Sequence, residues 1–154
     1  MAATPVQAPT RADALWTLGT LMILRGATPE LEVIEAVVPP GYSPPLHRHD
    51  FGTESFYVLE GRMRFAVGGE EIECGPGDLA VVPRSTPHSF LTLGEEPTRV
   101  VNLVAPAGLW AFFTECGEPA AELRLPDEIA IPADLPQIVA RHDGAVLGPP
   151  LNRG

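Results

Sequence analysis

Residues 41–61 read Gly-Tyr-Ser-Pro-Pro-Leu-His-Arg-His-Asp-Phe-Gly-Thr-Glu-Ser-Phe-Tyr-Val-Leu-Glu-Gly, and a further histidine, His88, follows the stretch Gly77-Asp-Leu-Ala-Val-Val-Pro83. In an extended strand, residues i and i+2 face the same way, so His47 and His49 can both reach one ion. Glu54 supplies an oxygen after a short bend, and His88 arrives from elsewhere in space. Arg48 and Asp50 take the opposite parity, which suits a strand with one face turned into a barrel and the other toward solvent. Three neutral imidazoles and one carboxylate make a mixed nitrogen and oxygen site for a divalent transition metal ion. Iron, nickel, manganese, cobalt, copper and zinc all stay open on this ligand set.

The segments on either side read as short strands. Ala14 to Arg25 is apolar and interrupted by Gly19, and Leu31 to Val38 has no clean polar face, as expected of a strand covered on both sides. Pro39-Pro40-Gly41 turns the chain into the histidine strand. Glu54 to Leu59 and Arg62 to Val67 form an expected pair around Glu60-Gly61. Gly68-Gly69 is a two-residue hairpin signal that leads to Glu70 to Cys74. Leu79 to Val82 reads as a short buried strand stopped by Pro83, and the Ser85-Thr86-Pro87 bend aims His88 into the next one. Arg99 to Val104 is the last clear strand. Beyond Pro106, residues 108–117 predict a short helix closed by Gly117, and 132–141 predict a second.

Composition bounds the function. The 154 residues suffice for one core, 45% of them are hydrophobic, and 18 prolines with 15 glycines fit an all-β chain of many turns. Net charge is −10 with no basic stripe, which argues against nucleic acid as a partner. All ten basic residues are arginine, so Schiff-base chemistry and a phosphate-loop lysine are excluded. Cys74 and Cys116 stand alone, as suits a reducing compartment. The stretch from Met1 to Arg11 has no leader pattern, and no later segment offers 18 uncharged apolar residues. The expectation is a cytoplasmic protein without a membrane partner.

The quoted motifs resemble those of the cupins. Gly41, His47, His49, Glu54 and Gly61 fill every fixed position of the first cupin pattern, Gly-x5-His-x-His-x4-Glu-x6-Gly. In the second, Gly-x5-Pro-x-Gly-x2-His-x3-Asn, Gly77, Pro83 and His88 match, while Ser85 replaces a glycine and Thr92 an asparagine. The Gly108-Leu-Trp-Ala-Phe-Phe run, Gly117-Glu-Pro-Ala and Val146-Leu-Gly-Pro-Pro150 are similar to single-domain bacterial cupins of the quercetinase-like kind.

This resemblance implies a small cupin β-barrel (a double-stranded β-helix, or jelly roll) with a short C-terminal helical extension. The division expected is a flexible arm over residues 1–13, the barrel over 14–106, and an extension over 107–154 packing on the barrel. The implied activity is metal-dependent oxygen insertion into a flavonol or related enol, with dioxygen as co-substrate. Relatives also include non-oxidative cyclases and isomerases of polyketide-like aromatics, and a non-catalytic small-molecule-binding cupin is a third reading. In the quercetinase-like members the ligand glutamate acts as a base. Glu54 inherits that role by resemblance, and a ligand-only role for it is equally open. A homodimer is also implied, and exchange of N-terminal strands would cover the apolar edge near Ala14 to Arg25.

The remaining candidates concern the substrate. Phe56 and Val58 share the parity of Glu54 and, with Phe90 beside His88, should line an aromatic pocket for a flat organic molecule. Trp110, Phe112 and Phe113 fall on a predicted surface helix, where they can cap the barrel mouth, pack a dimer or fill a satellite core. Tyr57 should point outward and Tyr42 sits at a turn. His142, in an Arg-His-Asp-Gly run, reads as an exposed tail residue.

Overall fold

Twelve strands and two short helices make up the described part of the computed structural model, residues 13–152. The expected N-terminal arm falls, through residue 12, outside the described residues. In chain order the elements are β1 (Ala14–Thr17), β2 (Thr20–Thr28), β3 (Leu31–Val38), β4 (Pro45–His49), β5 (Thr53–Glu60), β6 (Arg62–Val67) and β7 (Glu70–Cys74). There follow β8 (Leu79–Val82), β9 (His88–Leu93), β10 (Thr98–Ala105), α1 (Leu109–Cys116), β11 (Gly117–Pro119), α2 (Leu135–Arg141) and β12 (Gly144–Pro150).

The strands form two antiparallel sheets, one in the order β11-β1-β2-β3-β10-β5-β8 and the other β12-β4-β9-β6-β7. Their facing sides enclose the core of a small cupin-type β-barrel. At one end Phe56, Phe65 and Phe90 meet with ring centroids 5.1 to 6.0 Å apart, among Val58, Met63 and Val100. At the other end Ile34 and Val104 pack against Leu109, Phe112, Phe113, Ile138 and Val139, so α1 and α2 close the barrel with apolar side chains.

Turn chemistry explains the register. Gly61 has φ +87°, and a side chain there would collide with Thr98, so only glycine permits the tight β5–β6 turn. Gly68 and Gly69, both at positive φ, connect β6 to β7 as the hairpin signal predicts. Leu18 and Gly19, also at positive φ, make a hairpin that splits the Ala14–Arg25 segment into β1 and β2.

Four expectations need correction. β5 and β6 do not pair: β5 lies between β10 and β8 in one sheet and β6 between β9 and β7 in the other, so the Gly61 turn carries the chain from sheet to sheet. Leu79–Val82 is a strand but not a fully buried one: Ala80 and Val82 enter the core, while Leu79 and Val81 are exposed on an edge strand. The apolar edge of β1 is already paired within the chain, by β11 in the register Leu15↔Pro119, so the premise for strand exchange is removed there. The C-terminal stretch also gives β11 and β12 to the two sheets, so a boundary at residue 106 does not divide barrel from extension. β12 was hidden by its prolines, which an edge strand tolerates because its outer N–H groups need no ladder partner.

Candidate metal centre

β4 and β9 lie side by side with His47 paired directly to His88, so two histidines far apart in sequence share one rung of the ladder. His49 stands two residues along β4 on the same face. The three rings gather with centroids 4.3 to 5.4 Å apart, and one ligand nitrogen from each lies within 4.8 Å of the others. The Nδ1 atoms of His47 and His88 meet the carbonyls of Pro45 (2.6 Å) and Thr86 (2.9 Å). Donating there, they leave each Nε2 lone pair for an ion and fix the ring's direction.

Glu54 comes from β5 in the opposite sheet. Its Oε2 lies 3.4 Å from His49 Nε2 and its Oε1 3.8 Å from His88 Nε2, so the carboxylate stands beside two of the three histidines, while the close-set group itself consists of the histidines alone. Glu54 Oε2 and His88 Nε2 are buried without a hydrogen-bond partner. Orphaned atoms of this kind in one place are costly unless something joins them, and an ion does so. Metal–nitrogen bonds of about 2.1 Å span nitrogens up to about 4.2 Å apart, so the rings need close by only about half an ångström. The residues present therefore fit a divalent ion.

Electrostatics favour the ligating forms of His47, His49 and Glu54, while in the metal-free site Glu54 favours the protonated ring of His88. Burial, and then the charges of His88 and His49, lower the pKa of His47 from 6.5 to about 3, keeping it neutral. Burial also lowers His49. Burial opposes charge on Glu54, but the surrounding histidines outweigh it and hold the carboxyl at about 2. For His88 burial is likewise overcome, here by Glu54, and its pKa is raised.

The motif departures have visible substitutes. Thr92, at the asparagine position, donates its hydroxyl to Pro39 O (2.6 Å) and accepts the Tyr42 N–H (2.8 Å), tying β9 to the turn before β4. Ser85, at the glycine position, adopts φ +61° itself, and its N–H donates to His49 O (2.8 Å).

Beside the histidines opens a cavity of about 90 Å³, lined by His47, His49, Glu54, Phe56 and Phe90. Val58 is not among its walls. It shares the inward parity of Phe56 but lies one step deeper, fully buried in the closed end of the barrel. Tyr42 does line the cavity, its ring 6.1 Å from that of Phe90, and burial raises its phenol pKa. Leu109, Phe112 and Phe113 of α1, Val139 of α2 and Val146 of β12 form one side of the wall. Phe112 and Phe113 are therefore buried roof residues, which matches the barrel-mouth alternative among the three, whereas Trp110 packs at the margin. His142 is half-buried: its ring lies 5.8 Å from that of Phe112, and it contacts Glu115, which also pairs with Arg141. The exposed-tail reading of His142 fails because α2 folds back onto α1.

Two residues of consequence escaped the sequence reading. Glu32 of β3 accepts the N–H groups of Leu109 and Trp110, both at 3.0 Å, and so anchors the first turn of α1, which has no cap of its own. Asn102 of β10 reaches the same cavity. Its signal was a polar residue on the buried parity, between Val100 and Val104.

Residues 34–104 match the family described as the cupin domain. Over that stretch the chain is similar to the cupin domain. A stretch of 73 residues is 40% identical to quercetin 2,3-dioxygenase of Bacillus subtilis, covering 47% of this chain and 21% of that enzyme. Another comparison gives 33% identity over 67 residues to the tetracenomycin polyketide synthase protein TcmJ of Streptomyces glaucescens, 44% of this chain and 45% of the relative. Among solved structures, KdgF from Halomonas sp. is similar with a TM-score of 0.55 and 27% identity, over 58% of this chain and 80% of that one. The chain spans about half or less of the length of the curated relatives it matches. Among the described residues no helix is long and apolar enough to cross a membrane.

Proposed function

We propose that this chain is a metal-dependent cupin enzyme, a dioxygenase of the quercetin 2,3-dioxygenase kind acting on a flavonol or a related enol-bearing aromatic. The observation that carries the reading is the convergence of three histidines and a buried carboxylate oxygen without a hydrogen-bond partner beside a cavity lined mostly by aromatic and aliphatic side chains. His47, His49, His88 and Glu54 hold one divalent transition metal ion. Bound there, such an ion supplies Lewis acidity and lowers the pKa of a coordinated hydroxyl.

The chain's own residues do the rest. Glu54, ionised at neutral pH, accepts the proton of a substrate hydroxyl at Oε2, which forms no hydrogen bond within the described protein. Phe56 and Phe90 present faces and edges to a flat ring, while Phe112 and Phe113 shield it from water. The cavity has room for about one aromatic ring, so the remainder of a larger substrate extends toward the mouth.

Similarity to a polyketide synthase protein supports a second reading: non-oxidative cyclisation or isomerisation of a polyketide-like aromatic on the same site. Oxygen uptake separates the two. Metal-replete protein with flavonols and catechols should consume dioxygen and show no turnover under anaerobic conditions. Anaerobic turnover would instead favour the cyclase or isomerase, and consumption of no oxygen with any flavonol or catechol would reject the dioxygenase.

The buried free thiols of Cys74 and Cys116 support a cytoplasmic protein. A homodimer is supported by the unpaired edge of β8 with Leu79 and Val81 exposed; light scattering at micromolar concentration that finds only monomer would reject it.

A further inference from the structure

We infer that Asn102 is a second anchoring point for the ligand: its side-chain amide hydrogen-bonds a hydroxyl placed across the ring from the metal-binding oxygens. The inference rests on the reading of the cavity as a pocket for a metal-anchored enol or catechol, and it narrows that class to molecules polar at both ends. Asn102 is 5% exposed, on the inward parity of β10 between Val100 and Val104. Its cross-strand neighbours are Ile34 and Phe56, which offer no polar side chain. Its Oδ1 is buried with no hydrogen-bond partner, and no side-chain hydrogen bond of the amide is formed with any described residue. The amide can therefore present either its acceptor or its donor end to the cavity.

Placement decides what it would meet. Glu54 pairs with Val104, and Phe56 with Asn102, so Asn102 lies two residues along the sheet from Glu54. At the strand rise this is roughly 7 Å, about the reach of one substituted aromatic ring. Other polar side chains away from the metal end are placed differently. The Thr20 hydroxyl already donates to Thr17 O (2.7 Å), and Tyr42 sits half-buried at its turn. A leucine of similar shape would serve the fold better at position 102, because an unpaired buried amide costs stability. The amide thus reads as a group kept for a ligand, and in a site built to bond a hydroxyl, the analogue lacking it is rejected.

The test uses two catechols that share the metal-binding diol and differ only at the far end, 3,4-dihydroxybenzyl alcohol and 4-ethylcatechol. Zinc-loaded protein is titrated anaerobically with each by calorimetry, as wild type, Asn102→Leu and Asn102→Ala. The expected result is that the affinity ratio of alcohol to ethyl compound falls about tenfold in both variants, the worth of one hydrogen bond. The melting temperature of Asn102→Leu should stay at or above that of wild type. An unchanged ratio in the variants overturns the assignment, as does failure of zinc-loaded wild type to bind either catechol. Oxygen uptake is read separately: bound catechol without uptake tells against the dioxygenase and leaves the Asn102 assignment standing.

Discussion

The strand pair that carries His47, His49 and His88 fixes its side chains through backbone ladders and carbonyl acceptors, whereas the roof of the same cavity is held by packing and a few side-chain contacts. On the metal side, the His47↔His88 rung and the Pro45 and Thr86 carbonyls aim each ring. On the roof side, Phe112 and Phe113 keep their positions because Ile34, Val104, Ile138 and Val139 surround them and because Glu32 holds the start of α1. The difference teaches that metal binding and cavity shape are separable in this molecule. Changes to the ladder should abolish the ion, and changes to the roof should alter stability and ligand choice.

Truncating the roof is the hardest test of that separation. Phe112→Ala should lower stability by about 3 to 5 kcal/mol in denaturant unfolding, the range for a buried phenylalanine, with metal content unchanged. Loss of metal in that variant would show that the two regions are not independent.

Acid should act through the metal side. In metal-free protein His47 has a pKa near 3 against an ordinary 6.5, and His49 is also lowered, so their stabilising contribution is complete above about pH 6.5 and declines as pH falls toward 3. Glu54, near 2 against 4.5, adds a further loss as pH falls below about 4.5. His88, with a raised pKa, has the opposite sign: its contribution is present below 6.5 and is lost as pH rises through its folded value. Melting temperature against pH should therefore fall below pH 6.5, and a flat profile would contradict the buried neutral pair.

A smaller effect probes the roof's anchor. Glu32→Ala leaves two α1 N–H groups without an acceptor and should cost about 1 to 3 kcal/mol. Hydrogen exchange should accelerate at Leu109 and Trp110 while the β4 amides stay protected; equal acceleration in both places would couple the regions after all.

How much was legible in the sequence follows the same division. Parity along a strand is local, so His47, His49 and the inward residues Phe56 and Phe90 could be placed from spacing alone. Parity does not report depth, which is why Val58 was assigned to the cavity although it belongs to the closed end. The roof helices are visible as elements, but the face they bury depends on partners distant in sequence, so spacing leaves the part of Phe112 and Phe113 open among three alternatives and sets His142 too near the surface. Thr92 shows the reverse case: the residue departs from the motif, yet its hydroxyl still ties β9 to the turn before β4.

The smallest expected effect is at Ser85, the other departure. Its φ of +61° is one that an L side chain adopts at a cost, so Ser85→Gly should raise stability by under about 1 kcal/mol, net of the greater freedom of glycine when unfolded. Destabilisation there would mean that the serine side chain matters more than the backbone.

The central claim, one ion held by three histidines and Glu54, is tested most directly by elemental analysis of purified protein beside its His49→Ala variant. The account predicts close to one divalent transition metal ion per chain in the wild type and almost none in the variant. Wild-type protein that takes up no such ion, or a variant that keeps its full content, would contradict it.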